Sequence, residues 1–186
     1  MTDILLCGKS TDQSIVRALL PALARYGGVR YVHPDLLRKI GEDEPRFLVC
    51  DCERIPKVEG NSGILFFKNS FDSDSPISIP DGFLCAFEPQ NQRAAALLRA
   101  AGAAAVTCGM CAKDTLSISS LDYGAAALSL QRSITTLDGD VVEPRDITVE
   151  LHSTVSPRQM LAVCMVLLMA GGGSSPGFVF LKTTKK

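Results

Sequence analysis

Apolar positions in the first 108 residues switch between the period of a strand and that of a helix. Asp3 to Cys7 is a short apolar run ended by Gly8, and Ile15, Val16, Leu19, Leu20 and Leu23 then recur at the spacing of one helix face. This predicts a strand, a tight turn and a helix, with Ser10 or Thr11 as the cap and Gly27-Gly28 as the stop. Pro21 lies inside that helix and removes one backbone donor, which predicts a kink near Ala18 or a restart of the helix. Val29 to Val32 reads as a second strand, Asp35 to Ile40 as a short helix after the His33-Pro34 break, and Phe47 to Cys52 as a third strand. Gly63 to Lys68 is apolar up to its final lysine, as a strand covered on both faces of a parallel sheet requires. Gly82 to Phe87 repeats the strand signal, Pro89 opens a helix to Ala101 that Gly102 ends, and Ala103 to Cys108 returns to the sheet. Strict alternation of this kind predicts an α/β fold with an open, mainly parallel sheet, right-handed crossovers and flanking helices.

After Cys108 the pattern changes. Thr115 to Leu121, Ala125 to Ser133, Ile134 to Leu137, Val141 to Glu143 and Ile147 to His152 are β-like, and Asp138-Gly139 is a hairpin signal. Ser156-Pro157 supplies a cap and a first-turn proline to a helix reaching Ala170, whose near-total apolarity implies burial on most sides. Phe178 to Leu181 reads as a last strand and Lys182 to Lys186 as a frayed tail. The expected organisation is one α/β domain over residues 1–186. Its parts are an alternating half (1–108), a β-rich hairpin segment (109–153) and a C-terminal helix with its tail (154–186).

Charge removes one class of partner. Nineteen Lys and Arg against twenty Asp and Glu give a net charge of -1, without the basic excess that nucleic-acid binding draws on. The apolar stretch Met160 to Leu181 is broken by Gly171 to Gly177, so no membrane span is expected. The first residues lack a basic segment followed by an apolar core, which places the protein in the cytoplasm. There the seven cysteines are expected to be reduced thiols packed as small hydrophobes.

Three motifs bear on chemistry. Gly8-Lys9-Ser10-Thr11 lies between a strand and a helix, where backbone donors and the helix dipole favour phosphate, although Leu5, Leu6 and Cys7 occupy the places of a full glycine-rich loop. Asp51, with Glu53, ends a central strand, where open α/β sheets put their ligands, and is the candidate magnesium ligand. Cys50-Asp51-Cys52 and Cys108-Gly-Met-Cys111 lack zinc-knuckle spacing, so zinc is not expected. Lys113 to Leu121 reads as extended, so no helix start activates a redox pair at Cys108 and Cys111. His33 and His152 are the only histidines, and neither sits in a recognisable nucleophile motif.

From Ile79 onward, Pro80-Asp-Gly-Phe-Leu-Cys-Ala86, the alanine-rich helix, Ala105-Val-Thr-Cys-Gly109, the β-rich insert, Asp146-Ile-Thr-Val-Glu-Leu151 and Leu167-Leu-Met-Ala-Gly171 follow one another in an order that resembles the central domain of the Mur ligases. That family uses ATP and an acyl-phosphate to join amino acids to peptidoglycan precursors, and its central domain binds nucleotide and magnesium. The resemblance implies a Rossmann-like sheet with Gly8-Lys9-Ser10 at the end of the glycine-rich loop, Asp51 near the magnesium-binding glutamate, and Gly63 to Asn69 as the strand ending in Thr-Asn. The departures are Leu5 in the first glycine's place, no histidine in Ser70 to Pro76, Glu88-Pro-Gln-Asn91 in place of Asn-Asp-Asp, and no assignable modified lysine. The length leaves no room for the family's other domains, so a complete ligase is not expected. The expectation is a binding or regulatory module with a residual ATP/magnesium site at Gly8, Lys9, Ser10, Thr11 and Asp51. The alternatives are a small nucleotide-dependent enzyme using Lys9 and Asp51, and a structural protein that meets a protein partner or a second copy of itself through Thr115 to His152.

Overall fold

A computed structural model describes residues 1–172 and 177–180. In chain order the elements are β1 (Thr2–Cys7), α1 (Ser14–Leu23), β2 (Gly28–His33), β3 (Leu36–Ile40), β4 (Pro45–Cys52), β5 (Gly63–Phe67), β6 (Phe83–Phe87), α2 (Gln92–Ala100) and β7 (Ala105–Thr107). They continue with β8 (Leu116–Asp122), β9 (Ala125–Leu130), β10 (Ile134–Thr135), β11 (Val141–Val142), β12 (Arg145–Leu151), α3 (Pro157–Met169) and β13 (Phe178–Phe180).

The large sheet has the order β3-β2-β4-β1-β5-β6-β7 and is parallel except for β3. Its interior strand β5, between β1 and β6, is Gly-Ile-Leu-Phe-Phe and is buried at every position. Alternation sorts its side chains between two cores. Ile4, Leu6, Val49, Ile64 and Phe66 pack with α1 and α3, whereas Leu5, Cys7, Leu65, Phe67 and Cys85 pack with Ala94 and Leu98 of α2. The β-rich segment forms a second sheet, β13-β12-β9-β8, antiparallel except for the β12–β13 pair. Helix α3 contacts α1, β5 of the large sheet and β8 of the small one, so Met160 to Met169 are all buried. Its start is the one expected: the Ser156 side chain accepts from the Gln159 backbone while the Gln159 side chain accepts from the Ser156 backbone. Asp138-Gly139 turns the β10–β11 hairpin. Among the described residues no helix is long and apolar enough to cross a membrane.

Three local expectations are corrected. Leu36–Ile40 is a strand, not a helix: Pro34-Asp35 folds the chain back so that His33 pairs with Leu36 and Val29 with Ile40. Six residues are too few to sustain an isolated helix, and the open edge of β2 offers backbone partners to a strand whose Arg38 and Lys39 suit a solvated edge. Helix α1 starts at Ser14, with Gln13 at its N-cap, so neither Ser10 nor Thr11 caps it; it continues through Pro21 to Leu23 without a restart. Helix α2 starts at Gln92, where the Asn91 side chain accepts from the Ala94 backbone, and not at Pro89. The reading of Lys182 to Lys186, and of Leu181 in the last strand, lies outside the described residues.

Candidate functional site

The segment joining β1 to α1, residues 8 to 13, lies at the carboxyl ends of β1, β4 and β5. Gly8 donates its N–H to the Cys52 carbonyl at 2.9 Å, and Lys68, the residue after β5, donates its own to the Cys7 carbonyl at 2.8 Å. The Lys68 side chain then runs under the loop with no exposed surface. Its ammonium donates to Asp51 Oδ1 at 2.7 Å and to the carbonyls of Lys9 and Asp12, each at 3.0 Å. Three donors meet three acceptors, so this buried cation is fully satisfied. Gly8 makes room for it: a Cβ on Gly8 would stand 2.8 Å from Lys68 Cε and 2.8 Å from Ser70 Oγ.

Asp51 is equally engaged. Its Oδ2 accepts from Gln13 Nε2 at 2.9 Å and lies 3.4 Å from the Tyr31 hydroxyl, which also lies 3.1 Å from Gln13 Oε1. Burial, followed by the charge of Asp51, raises the Tyr31 pKa above its ordinary value. Gln13 also donates to the Ser10 carbonyl at 2.7 Å, which ties the far side of the loop to the same cluster.

The loop's outer face carries carboxylates. Glu53 Oε1 accepts from the Ser10 N–H at 3.0 Å and from the Ser10 hydroxyl at 2.7 Å, and these bonds hold its pKa below the ordinary value. Asp12 accepts from the Ser14 N–H and hydroxyl through Oδ1 and from the Ser70 hydroxyl, at 2.6 Å, through Oδ2. Burial works to raise the Asp12 pKa, but the bonds from Ser14 and Ser70 outweigh it and the net shift is downward. The stability this adds is complete above the ordinary carboxylate pKa and is lost as pH falls through the lowered one. Acid titration of unfolding followed by circular dichroism should therefore show a shallower acid limb in Asp12→Asn than in the unsubstituted chain. Equal limbs would contradict this placement of the charge.

The structure gathers Gly8, Lys9, Ser10 and Thr11 into one loop directly above Asp51, as their positions in the chain imply. It adds Lys68, Gln13 and Tyr31, which sequence reasoning missed, and it places Glu53, read beside Asp51 at the strand end, on Ser10 of the loop. One signal for Lys68 was available: it is the only charge in the apolar run Gly63 to Lys68. The loop's inner face presents carbonyls, which suit a cation, and Lys68 is that cation. A phosphate held there would need Lys68 withdrawn and the Ser10 N–H released from Glu53, and magnesium on Asp51 would have to replace the Lys68 ammonium.

Beside the loop, a surface crevice of about 340 Å³ is lined by Lys9, Asn69, Ser70, Gln90, Asn91 and Arg93 among others. Arg93 pairs there with Asp72 at 2.7 Å and with Asp74. Glu88, in place of the acidic signature expected from the resemblance, is buried: it accepts from the Asn69 N–H at 2.6 Å and from Arg158 Nε at 2.7 Å. Asn91 donates to the carbonyls of Lys68 and Phe71 at 2.9 and 2.8 Å, which fixes the exit of β5. Among the described residues no three His, Cys, Asp or Glu side chains converge as a metal site. Cys108 is buried and Cys111 exposed. His33 lies 3.4 Å from the Ser10 carbonyl, and His152 stands beside Glu150 on the surface.

No family model matches the sequence, and no curated protein matches it. Among solved structures the chain is similar to UDP-N-acetylmuramoyl-L-alanyl-D-glutamate--2,6-diaminopimelate ligase, with a TM-score of 0.57 and 10% identity over 92% of this chain and 44% of that one. The fold is Mur-ligase-like. This chain spans less than half the length of the ligase it matches. At such identity the likeness carries the architecture and not the chemistry. In the Mur-ligase-like sheet the loop after β1 occupies the strand-end position where open α/β folds take ligands, and here Lys68 fills its interior.

Proposed function

We propose that this Mur-ligase-like domain works as a binding or regulatory module without ligase activity, its strand-end loop closed by its own lysine. The observation that carries the reading is the Lys68 ammonium bonded to Lys9 O, Asp12 O and Asp51 Oδ1, with no exposed surface. A buried, paired lysine supplies internally the positive charge that a metal or a phosphate-binding lysine would supply in a nucleotide site.

Isothermal calorimetry with ATP and ADP, with and without magnesium, tests this. No saturable heat is expected up to millimolar nucleotide. Micromolar, magnesium-dependent binding that is lost in Lys9→Ala would overturn it. The other reading would then hold: a small nucleotide-dependent enzyme with Lys9 neutralising phosphate and Asp51 coordinating magnesium. That reading draws support from Lys9, which is exposed at the rim of the crevice. A structural role draws support from Leu121, Tyr123 and Val141, three exposed apolar side chains of the β-rich segment. Light scattering that gives a dimer, dissociated by Tyr123→Ser, would favour self-association.

A further inference from the structure

Cys7 ends β1 and Cys52 ends β4. These parallel strands are neighbours, and Cys7 stands directly opposite Cys52 in their register. The two sulfurs are 3.9 Å apart. Paired Cα atoms of adjacent strands lie about 5 Å apart, inside the range of roughly 4.4–6.8 Å that a disulfide spans. Side-chain rotation with little backbone movement therefore brings the sulfurs to bonding distance. We propose that Cys7 and Cys52 form a hydroperoxide-responsive dithiol, in which Cys52 is oxidised first and Cys7 resolves it to an intramolecular disulfide between β1 and β4.

The order of events follows from the surroundings. Cys7 is completely buried, whereas Cys52 is only partly covered. A hydrogen bond joins the two sulfurs, and that bond, with a smaller contribution from the Lys68 charge and against burial and the Asp51 charge, holds the Cys52 thiol below its ordinary pKa. The same bond, together with burial, drives Cys7 in the opposite direction. Burial raises Cys50, Cys85, Cys108 and Cys164, so among the partly or fully covered thiols Cys52 alone is shifted toward its thiolate.

In the first step the Cys52 thiolate attacks a peroxide oxygen and the O–O bond breaks. The second oxygen leaves as hydroxide or alkoxide, and Cys52 becomes a sulfenic acid. In the second step Cys7 gives up its proton and attacks the Cys52 sulfur. The S–O bond breaks and the hydroxyl leaves with that proton as water. Two thiols supply two electrons and one peroxide is reduced. The product crosslinks the strands that carry the loop, because Gly8 donates to the Cys52 carbonyl and Lys68 to the Cys7 carbonyl.

The test uses the full chain carrying Cys111→Ser, which removes the exposed thiol, treated with hydrogen peroxide, then denatured, alkylated and mapped by mass spectrometry. Two thiols should be lost per chain, with a mass lower by about 2 Da, a Cys7–Cys52 linked peptide, and reversal by dithiothreitol. In the added Cys7→Ser variant, dimedone should trap a sulfenic acid at Cys52; in Cys52→Ser, Cys7 should take up neither dimedone nor a disulfide partner. The unsubstituted chain provides a readout free of folding effects, the rate of Cys52 oxidation against Cys50. Equal rates at those two cysteines, disulfides joining other residues, or an unchanged thiol count where Cys111 of the unsubstituted chain is already oxidised would each overturn the proposal.

Discussion

Lys68→Met is expected to cost about 3–5 kcal/mol of folding stability, the loss that follows when one partner of a buried ion pair is removed and the other is left charged. Asp51 has a fully buried side chain and pairs with Lys68 at 2.7 Å, and the carbonyls of Lys9 and Asp12 would lose their donor in the same change. Methionine matches the length of the lysine stem, so packing loss stays small. Chemical denaturation at neutral pH measures the effect, and the double variant Lys68→Met/Asp51→Asn should recover most of it, because the bare charge is then gone. A loss of less than about 1 kcal/mol in the single variant, or no recovery in the double, would mean that the pair does not organise the loop.

Phe66→Ala should cost a similar amount, about 3–5 kcal/mol, for a different reason. Phe66 is wholly buried on the face of β5 that packs with α1 and α3, so truncation leaves a cavity between the large sheet and its two helices. Leu37→Ala, on the exposed edge strand β3, is expected to stay within about 0.5 kcal/mol. The contrast is informative about the layers. Similar midpoints for the two variants in guanidinium denaturation would contradict the assignment of Phe66 to the interior and Leu37 to the rim.

The parts of the fold legible in the sequence are those that local chemistry specifies. A strand buried on both faces must be apolar throughout, so β5 could be read directly, and Ser156-Pro157 writes the start of α3 as a cap followed by a first-turn proline. The strand β3 was not legible: Leu-Leu-Arg-Lys-Ile has no clear alternation, and its conformation is set by pairing with β2 across a two-residue turn. The start of α1 was misread for a similar reason. Ser10 looks like a cap, but its N–H and hydroxyl are taken by Glu53, 43 residues away.

The candidate site divides along the same line. Residues 8 to 11 could be found because strand, glycine and helix follow one another in the chain. Their chemical environment could not, because Lys68 reaches the Lys9 carbonyl from 59 positions away and Asp51 from 17. Cys7 and Cys52 meet across 45 residues. A local pattern locates a loop, whereas the sign of the charge that fills it depends on neighbours that only the folded sheet brings together.

A crystal structure grown with millimolar ATP and magnesium tests the central claim most directly. The expected result is the Lys68 ammonium within hydrogen-bond distance of Lys9 O, Asp12 O and Asp51 Oδ1, with Ser10 held by Glu53 and no phosphate in the loop. A nucleotide phosphate seated on the N–H groups of residues 8 to 11, with Lys68 turned away and magnesium on Asp51, would contradict it.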